Sequence, residues 1–378
     1  MEINQTKLLE LAKKLIAFKS ISPNQAGCLD YITTYLKDIG FKTIRLDHGK
    51  TSNLFAVIGS KKPIFAFAGH IDVVPSGDIS KWDSDPFIMT ETNNKLVARG
   101  ISDMKGAVAS FIIAAEQYIN NKLNDYSIAI LLTSDEESSA KDGTSVIVKY
   151  LKQQNIVIDY CLLGEPTSVD HLGDVIKNGR RGSLTANIEI IGKQGHIAYP
   201  ELCLNPIHLF TNALHELVNT KWDNGNEFFP PTQMQFANLN SGLGVDNVIP
   251  RNLFANFNFR YNNLHTSDSL KKQVTKIFDN NKLDYVITWN DSAQPFLTKS
   301  GKLLTTVIDS IQETLQITPQ LKTDGGTSDG RFLKDVCLEL LEFGMVNASI
   351  HQINENIPKG DLLNLSKTYY NILNKFKP

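Results

Sequence analysis

Along the first half of this chain, short apolar runs alternate with longer segments of helical spacing, and that alternation limits the folds open to it. The apolar runs are NLFAVIG, PIFAFAG, SIAILLTS and YCLLGEP. Between them, CLDYITTYLKDIG, MKGAVASFIIAAEQYI and TSVIVKYLKQQ carry apolar residues at helical intervals. A strand that is apolar at nearly every position needs cover on both faces. Such strands between helices predict an α/β domain with a sheet covered by helices. The N-terminal segment fits the pattern, because Leu8, Leu11, Ala12, Leu15 and Ile16 repeat at helical spacing.

The texture changes near Lys177. LTANIEI, QMQFANLNS and LFANFNFRY alternate apolar and polar residues, as strands with one wet face do. NPIHLFTNALHELVNT and SDSLKKQVTKIFDN read as helices, and DYVITWN as a closing strand. The order is strand, helix, strand, strand, helix, strand, the pattern of a small α+β sandwich. From about Ala293 the helix-rich texture returns. The chain therefore reads as a catalytic domain of residues 1–179 and 293–378, interrupted by a smaller α+β (βαββαβ) domain of residues 180–292.

Bulk properties exclude some partners. The formal net charge is −2 over 378 residues, with acids and bases mixed, which argues against nucleic acid or an anionic membrane. No apolar run reaches the length of a membrane span, and the first helix has charges where a signal peptide has a continuous apolar core. The four cysteines, Cys28, Cys161, Cys203 and Cys337, form no CxxC and suit reduced thiols in a cytoplasm.

SIAILLTS ends in three adjacent carboxylates, Asp135, Glu136 and Glu137. Two carboxylates about 4 Å apart repel by roughly 4 kcal/mol at an effective dielectric of 20, so solvent or a cation must offset them. The ends of other apolar runs carry the same kind of residue. PIFAFAGHID supplies His70 and Asp72, YCLLGEP supplies Glu165, and GMVNASIHQINE supplies His351. Asp103, in RGISDMKGAVAS, stands where a loop enters a helix. Taken singly, Asp103 reads as a helix N-cap, the acidic triplet as a solvated turn, and each His as an ordinary core or surface residue. Together they aim imidazoles and carboxylates at the carboxyl edge of one sheet, where open α/β sheets bind ligands.

That donor mixture suits zinc, and it holds more carboxylates than one ion needs, which leaves room for two ions a few ångströms apart with an acid between them. On extended backbone His70 and Asp72 point the same way, so the Asp72 carboxylate can accept the free imidazole N–H. Glu136 and Glu137 then point to opposite sides, one toward metal and one toward water.

GHIDVVP, ARGISDMKG, TSDEES, LLGEP and the HQINE near the C-terminus resemble the dinuclear zinc aminoacylase and carboxypeptidase family. The resemblance runs from the first helix to the last and includes the insertion. It implies two zinc ions, with cobalt or manganese as substitutes in one site. His70 and Glu165 would hold the first ion, Glu137 and His351 the second, and Asp103 would bridge them. Glu136 would act as general base and acid, and Asp72 would orient His70. A cis peptide bond would follow Asp103. His196, in GKQGHIAYP, would reach the active site of a second copy and help hold the oxyanion, which implies a homodimer formed through the insertion. Arg180, Ser183, Asn247, Arg260, Gly326, Thr327 and Asn347 would contact the substrate. The segment LKTD before GGTSDGRF carries more charge than the family pattern, through Lys322 and Asp324. The implied reaction is hydrolysis of the amide of N-succinyl-LL-2,6-diaminopimelate, a small molecule. The alternatives are a sister deacylase of acetylornithine type and a metallo-exopeptidase.

Overall fold

A computed structural model describes residues 3–121 and 125–376. They form two compact units. One takes the chain through Gly179, Leu297–Lys322, and Ser328 onward; the other takes Arg180–Phe296 and Thr323–Thr327.

The first unit is built on an eight-stranded mixed sheet. Its strand order is Lys42–Arg45, Asn53–Ile58, Ser127–Thr133, Ile64–His70, Ile158–Leu163, Cys337–Glu342, Val175–Lys177, Gln320–Lys322. The stretch from Ser127–Thr133 to Cys337–Glu342 is parallel. Register pairs His70 with Thr133, Ala68 with Leu163, and Leu163 with Glu342. These strands therefore finish level with one another at one edge.

Every residue of Ser127–Thr133 is buried, as its unbroken apolar run requires. Successive side chains on a strand point to opposite faces. Leu54 and Ala56 accordingly enter the main core, while Phe55 meets Tyr150 of the Thr144–Gln153 helix. Phe65 and Phe67 pack on Phe111, with ring centroids 6.3 and 4.3 Å apart. Phe111 belongs to the Lys105–Asn121 helix, which is buried at every position from Lys105 to Ala115. Helices Gln5–Ala17 and Lys359–Lys375 pack against it, so it has no wet face over that length. Each large apolar side chain buried this way contributes about 1.5–3 kcal/mol.

The second unit holds an antiparallel four-stranded sheet in the order Gln233–Ser241, Asn252–Tyr261, Gly182–Ile191, Tyr285–Ala293. Leu184, Ala186, Ile188 and Ile190 are buried and alternate with less buried polar residues. They share a core with Phe210, Ala213 and Leu217 of helix Pro206–Asn219 and with Leu270, Val274 and Phe278 of helix Ser267–Asn280. Both helices start at side-chain caps. Asn205 accepts from the Ile207 N–H, and Thr266 and Ser269 form a capping box.

The apolar pattern overlooks some short features. Gly195–His196 pairs with Val248–Ile249, and Thr90–Thr92, Lys95–Val97 and Asn356–Pro358 form a three-stranded sheet. Two or three residues are too few to show a period. Among the described residues, no helix is long and apolar enough to cross a membrane.

Candidate metal centre

His70 is the last residue of its strand. Its Nε2 lies 3.1 Å from Asp103 Oδ1. On the other side of Asp103, His351 Nε2 lies 3.3 Å from Oδ2 and 3.0 Å from Glu137 Oε1. Asp103 thus turns one oxygen toward each imidazole. Two groups of ligand atoms result, His70–Asp103–Glu165 and Asp103–Glu137–His351. Within each group the atoms lie within 4.8 Å of one another. Nitrogen and carboxylate oxygen at this spacing fit a divalent cation, and the shared aspartate fits a pair of them.

The local fold explains how Asp103 arrives there. It is not the cap of the Lys105–Asn121 helix; its carboxylate is taken by the two imidazoles. The peptide bond to Met104 is cis. Met104 is fully buried beside the strand ends. A Cβ on Gly164 would stand 2.7 Å from Met104 Cε, so only glycine after Leu163 leaves room for that side chain.

Asp72 differs from the sequence expectation. The His70 Nδ1 hydrogen bond, at 2.9 Å, goes to the Asp72 carbonyl oxygen, and the carboxylate stands 3.7 Å away. The carboxylate is engaged elsewhere: its Oδ2 accepts the N–H groups of Glu136 and Glu137 at 3.2 and 3.1 Å. Asp72 therefore orients His70 through its main chain and anchors the acidic loop through its side chain. The backbone of that loop is bent rather than extended. Asp135 is buried and closes it, accepting from the Asp142 N–H at 3.3 Å.

The electrostatics are those of crowded acids around two imidazoles. Burial lowers the His70 pKa, but the Asp103 hydrogen bond and the charges of Asp72 and Glu165 outweigh it and hold the ring well above the usual histidine range. Hydrogen bonds to Asp103 and Glu137 push His351 up to about 10. Burial raises Asp103, yet the two histidines prevail and hold it below the usual carboxylate range. Glu136 is held well above that range by burial and then by Glu165. Asp329, which the sequence reading passed over, is buried nearby and pushed up to about 6, chiefly by burial. Its Oδ2 accepts from Thr144 Oγ1 at 2.6 Å. A single Asp before Gly in GGTSDGRF reads as a turn, so no local signal marks it.

These directions make a prediction. In the metal-free protein the neighbouring carboxylates favour the protonated form of both rings. The folded pKa of His351 exceeds the unfolded value, so its pairing stabilises the metal-free fold below about pH 6.5 and that contribution is lost as pH rises through about 10. A cation must displace these protons. Zinc uptake at pH 7 is expected to release protons, and affinity should climb with pH. Calorimetry in buffers of different ionisation enthalpy measures the release; no buffer dependence would contradict it.

The remaining candidates divide between the units. Asn347 is in the first, where its N–H donates to the Ser168 carbonyl at 2.9 Å. His196, Arg180, Ser183, Asn247, Arg260, Gly326 and Thr327 are in the second. There Ser183 pairs with Arg260 in the sheet register. Arg180 Nη1 lies 3.3 Å from the Asp324 carbonyl and 3.4 Å from that of Gly326. Asn247 accepts from the Ile197 N–H at 3.1 Å, beside the exposed His196. Ala198 N–H donates to His196 Nδ1 at 3.1 Å. The neutral ring therefore carries its proton on Nε2 and presents a donor.

Residues 66–375 match the model of peptidase family M20/M25/M40. The chain is 48% identical over 362 residues to the succinyl-diaminopimelate desuccinylase of Nitrosospira multiformis, covering 96% of each. It is 46% identical over 370 residues to the protein of the same name from Vesicomyosocius okutanii, covering 97% of this chain and 98% of that one. An M20 family metallo-carboxypeptidase from Sulfolobus solfataricus shares the fold with a TM-score of 0.80 at 17% identity, covering 97% of this chain and 98% of the other. By the family match over most of its length and by its near-full-length relatives, the chain belongs to peptidase family M20/M25/M40.

Proposed function

We propose that this chain hydrolyses N-succinyl-LL-2,6-diaminopimelate to succinate and LL-2,6-diaminopimelate, with two zinc ions held by His70, Asp103, Glu137, Glu165 and His351. The observation that carries the chemistry is the pair of ligand groups meeting at Asp103, with Glu136 beside them and in neither. The substrate rests on near-full-length likeness to proteins named for it.

Zinc bound at these residues supplies Lewis acidity toward an amide carbonyl and toward water. The chain's own residues do the rest. Asp72 holds the Glu136 N–H and so fixes where that carboxylate stands. Glu136 takes a proton from the attacking water and returns it to the leaving amine, a role that suits a carboxyl whose proton affinity burial has raised. His196, donating from Nε2, stabilises the developing oxyanion. Arg180 and Arg260 offer forked donors to substrate carboxylates.

In this reading His196 acts on the active site of a second copy, and the protein is a homodimer. Around His196 the second unit exposes apolar side chains: Ile197 at 56%, Tyr199 at 56%, Leu202 at 62% and Leu204 at 54%. Apolar surface of this kind supports a protein partner. The free thiols suit a reducing, cytoplasmic compartment.

The test is hydrolysis by chelator-treated protein, with and without zinc, on N-succinyl-LL-2,6-diaminopimelate beside N-acetylornithine. Zinc-dependent cleavage with clear preference for the succinyl compound is the expected result. Zinc-dependent cleavage of the acetyl compound alone would keep the chemistry and overturn the substrate. Zinc binding without cleavage of either would overturn the catalytic reading.

A further inference from the structure

The two segments that carry Asp103 and His351 are joined by a buried ion pair that neither ligand group contains. Glu355 is fully buried. Its Oε1 accepts the N–H of Ser102 at 2.9 Å and of Asp103 at 3.1 Å. Its Oε2 accepts the Gly100 N–H and Arg99 Nη1, both at 2.9 Å. Every donor comes from the run 99–103, which ends at the shared aspartate. Arg99 is equally enclosed, 2% exposed, with its guanidinium 5.3 Å over the Trp82 ring. Its Nη2 is directed at the carbonyls of Pro75, at 3.4 Å, and His351, at 3.5 Å. The Glu355 carbonyl also accepts the Ala98 N–H at 3.0 Å.

A buried ion pair is weak support for stability, since well-packed apolar residues of similar volume often do as well. The bond pattern points to another role. Glu355 holds the backbone N–H of one candidate ligand, and its ion partner reaches the backbone carbonyl of another. An apolar pair could fill the volume but could not hold both.

We propose that Glu355 and Arg99 are positioning residues for the metal centre, setting the separation of Asp103 and His351 and thereby the affinity of the group they form with Glu137. This rests on the two-zinc reading above.

The test is zinc titration of chelator-treated wild type, E355Q and R99K, with the thermal unfolding midpoint of each metal-free protein recorded alongside. Glu355→Gln keeps the shape but puts an amide donor against the N–H groups that the carboxylate accepts. Residues that support metal ligands typically govern affinity by about 10–100-fold. The expected result is a cooperative melt in metal-free E355Q with at least one of the two zinc ions bound about 10–100-fold less tightly, and activity regained as zinc is raised. A purely structural role would lower the melting midpoint and leave the zinc affinity of the folded protein unchanged; that outcome overturns the proposal. Should E355Q fail to fold, R99K decides. Lysine keeps the charge but loses the two-nitrogen fork that reaches Glu355 and the His351 carbonyl separately, so weaker zinc binding supports the proposal and wild-type affinity overturns it. Failure of the stripped wild type itself to bind two ions would mark the metal reading as the one at fault.

Discussion

Glu136→Gln lowers kcat by about 10²–10⁴-fold, the range that general acid–base catalysis contributes, and leaves bound zinc unchanged. Glutamine has nearly the same shape and cannot take a proton from water. Glu136 belongs to neither ligand group, and its tie to Asp72 runs through its main-chain N–H, which the substitution does not touch. The metal-free variant offers an independent check. The carboxyl of Glu136 is held well above its ordinary pKa by burial and by Glu165. A carboxyl with a raised folded pKa favours the fold below its unfolded pKa and loses that contribution as pH rises through the folded value. Near pH 7, above the unfolded pKa, the raised folded pKa therefore costs the fold free energy that Gln does not, and metal-free E136Q should melt at a higher temperature than metal-free wild type. Steady-state kinetics, metal analysis and a melting curve together decide the matter. Zinc loss in E136Q would remove the residue from its assigned role.

Asp103→Ala should cost more metal than any other single substitution in the centre. Its two oxygens face different imidazoles, and both ligand groups include it. Glu165→Ala shortens one group and His351→Ala the other, so each should retain one ion at zinc concentrations where D103A retains none. The loss of affinity in D103A should exceed the about 10–100-fold that removing a merely supporting residue costs, and turnover should fall with it. Metal content per chain, measured across a zinc series for the three variants, reads the difference directly. One ion held by D103A with wild-type affinity would mean that the aspartate is not shared.

Much of the architecture is legible in one dimension because its signals are local. SIAILLTS is apolar throughout, and the strand it forms is buried at every residue. LTANIEI alternates, and its strand has one buried face. MKGAVASFIIAAEQYI is apolar on most sides, and the helix Lys105–Asn121 is covered on most sides. The strand-end histidine and acids are legible for the same reason. A parallel sheet brings the carboxyl ends of its strands to one edge, so residues that follow apolar runs become neighbours wherever those runs stand in the chain.

Hydrogen-bond partners are not legible in this way. Asp72 and His70 are two residues apart, and the spacing suggests a carboxylate-to-ring bond. The fold gives the ring to the carbonyl instead, because the carboxylate meets Glu136 and Glu137 from a neighbouring strand end. Glu355 meets Asp103 across 252 positions of sequence, and Asp329 meets Thr144 across 185. Each looks like an ordinary turn or helix-flanking acid until the chain has closed. Period, apolar run length and residue type act over a few neighbours, and they suffice for the strands, the helices and the chemical kind of the site. Which oxygen faces which nitrogen depends on strand order and on ångström-scale approach between distant segments. That information exists only once the core has packed.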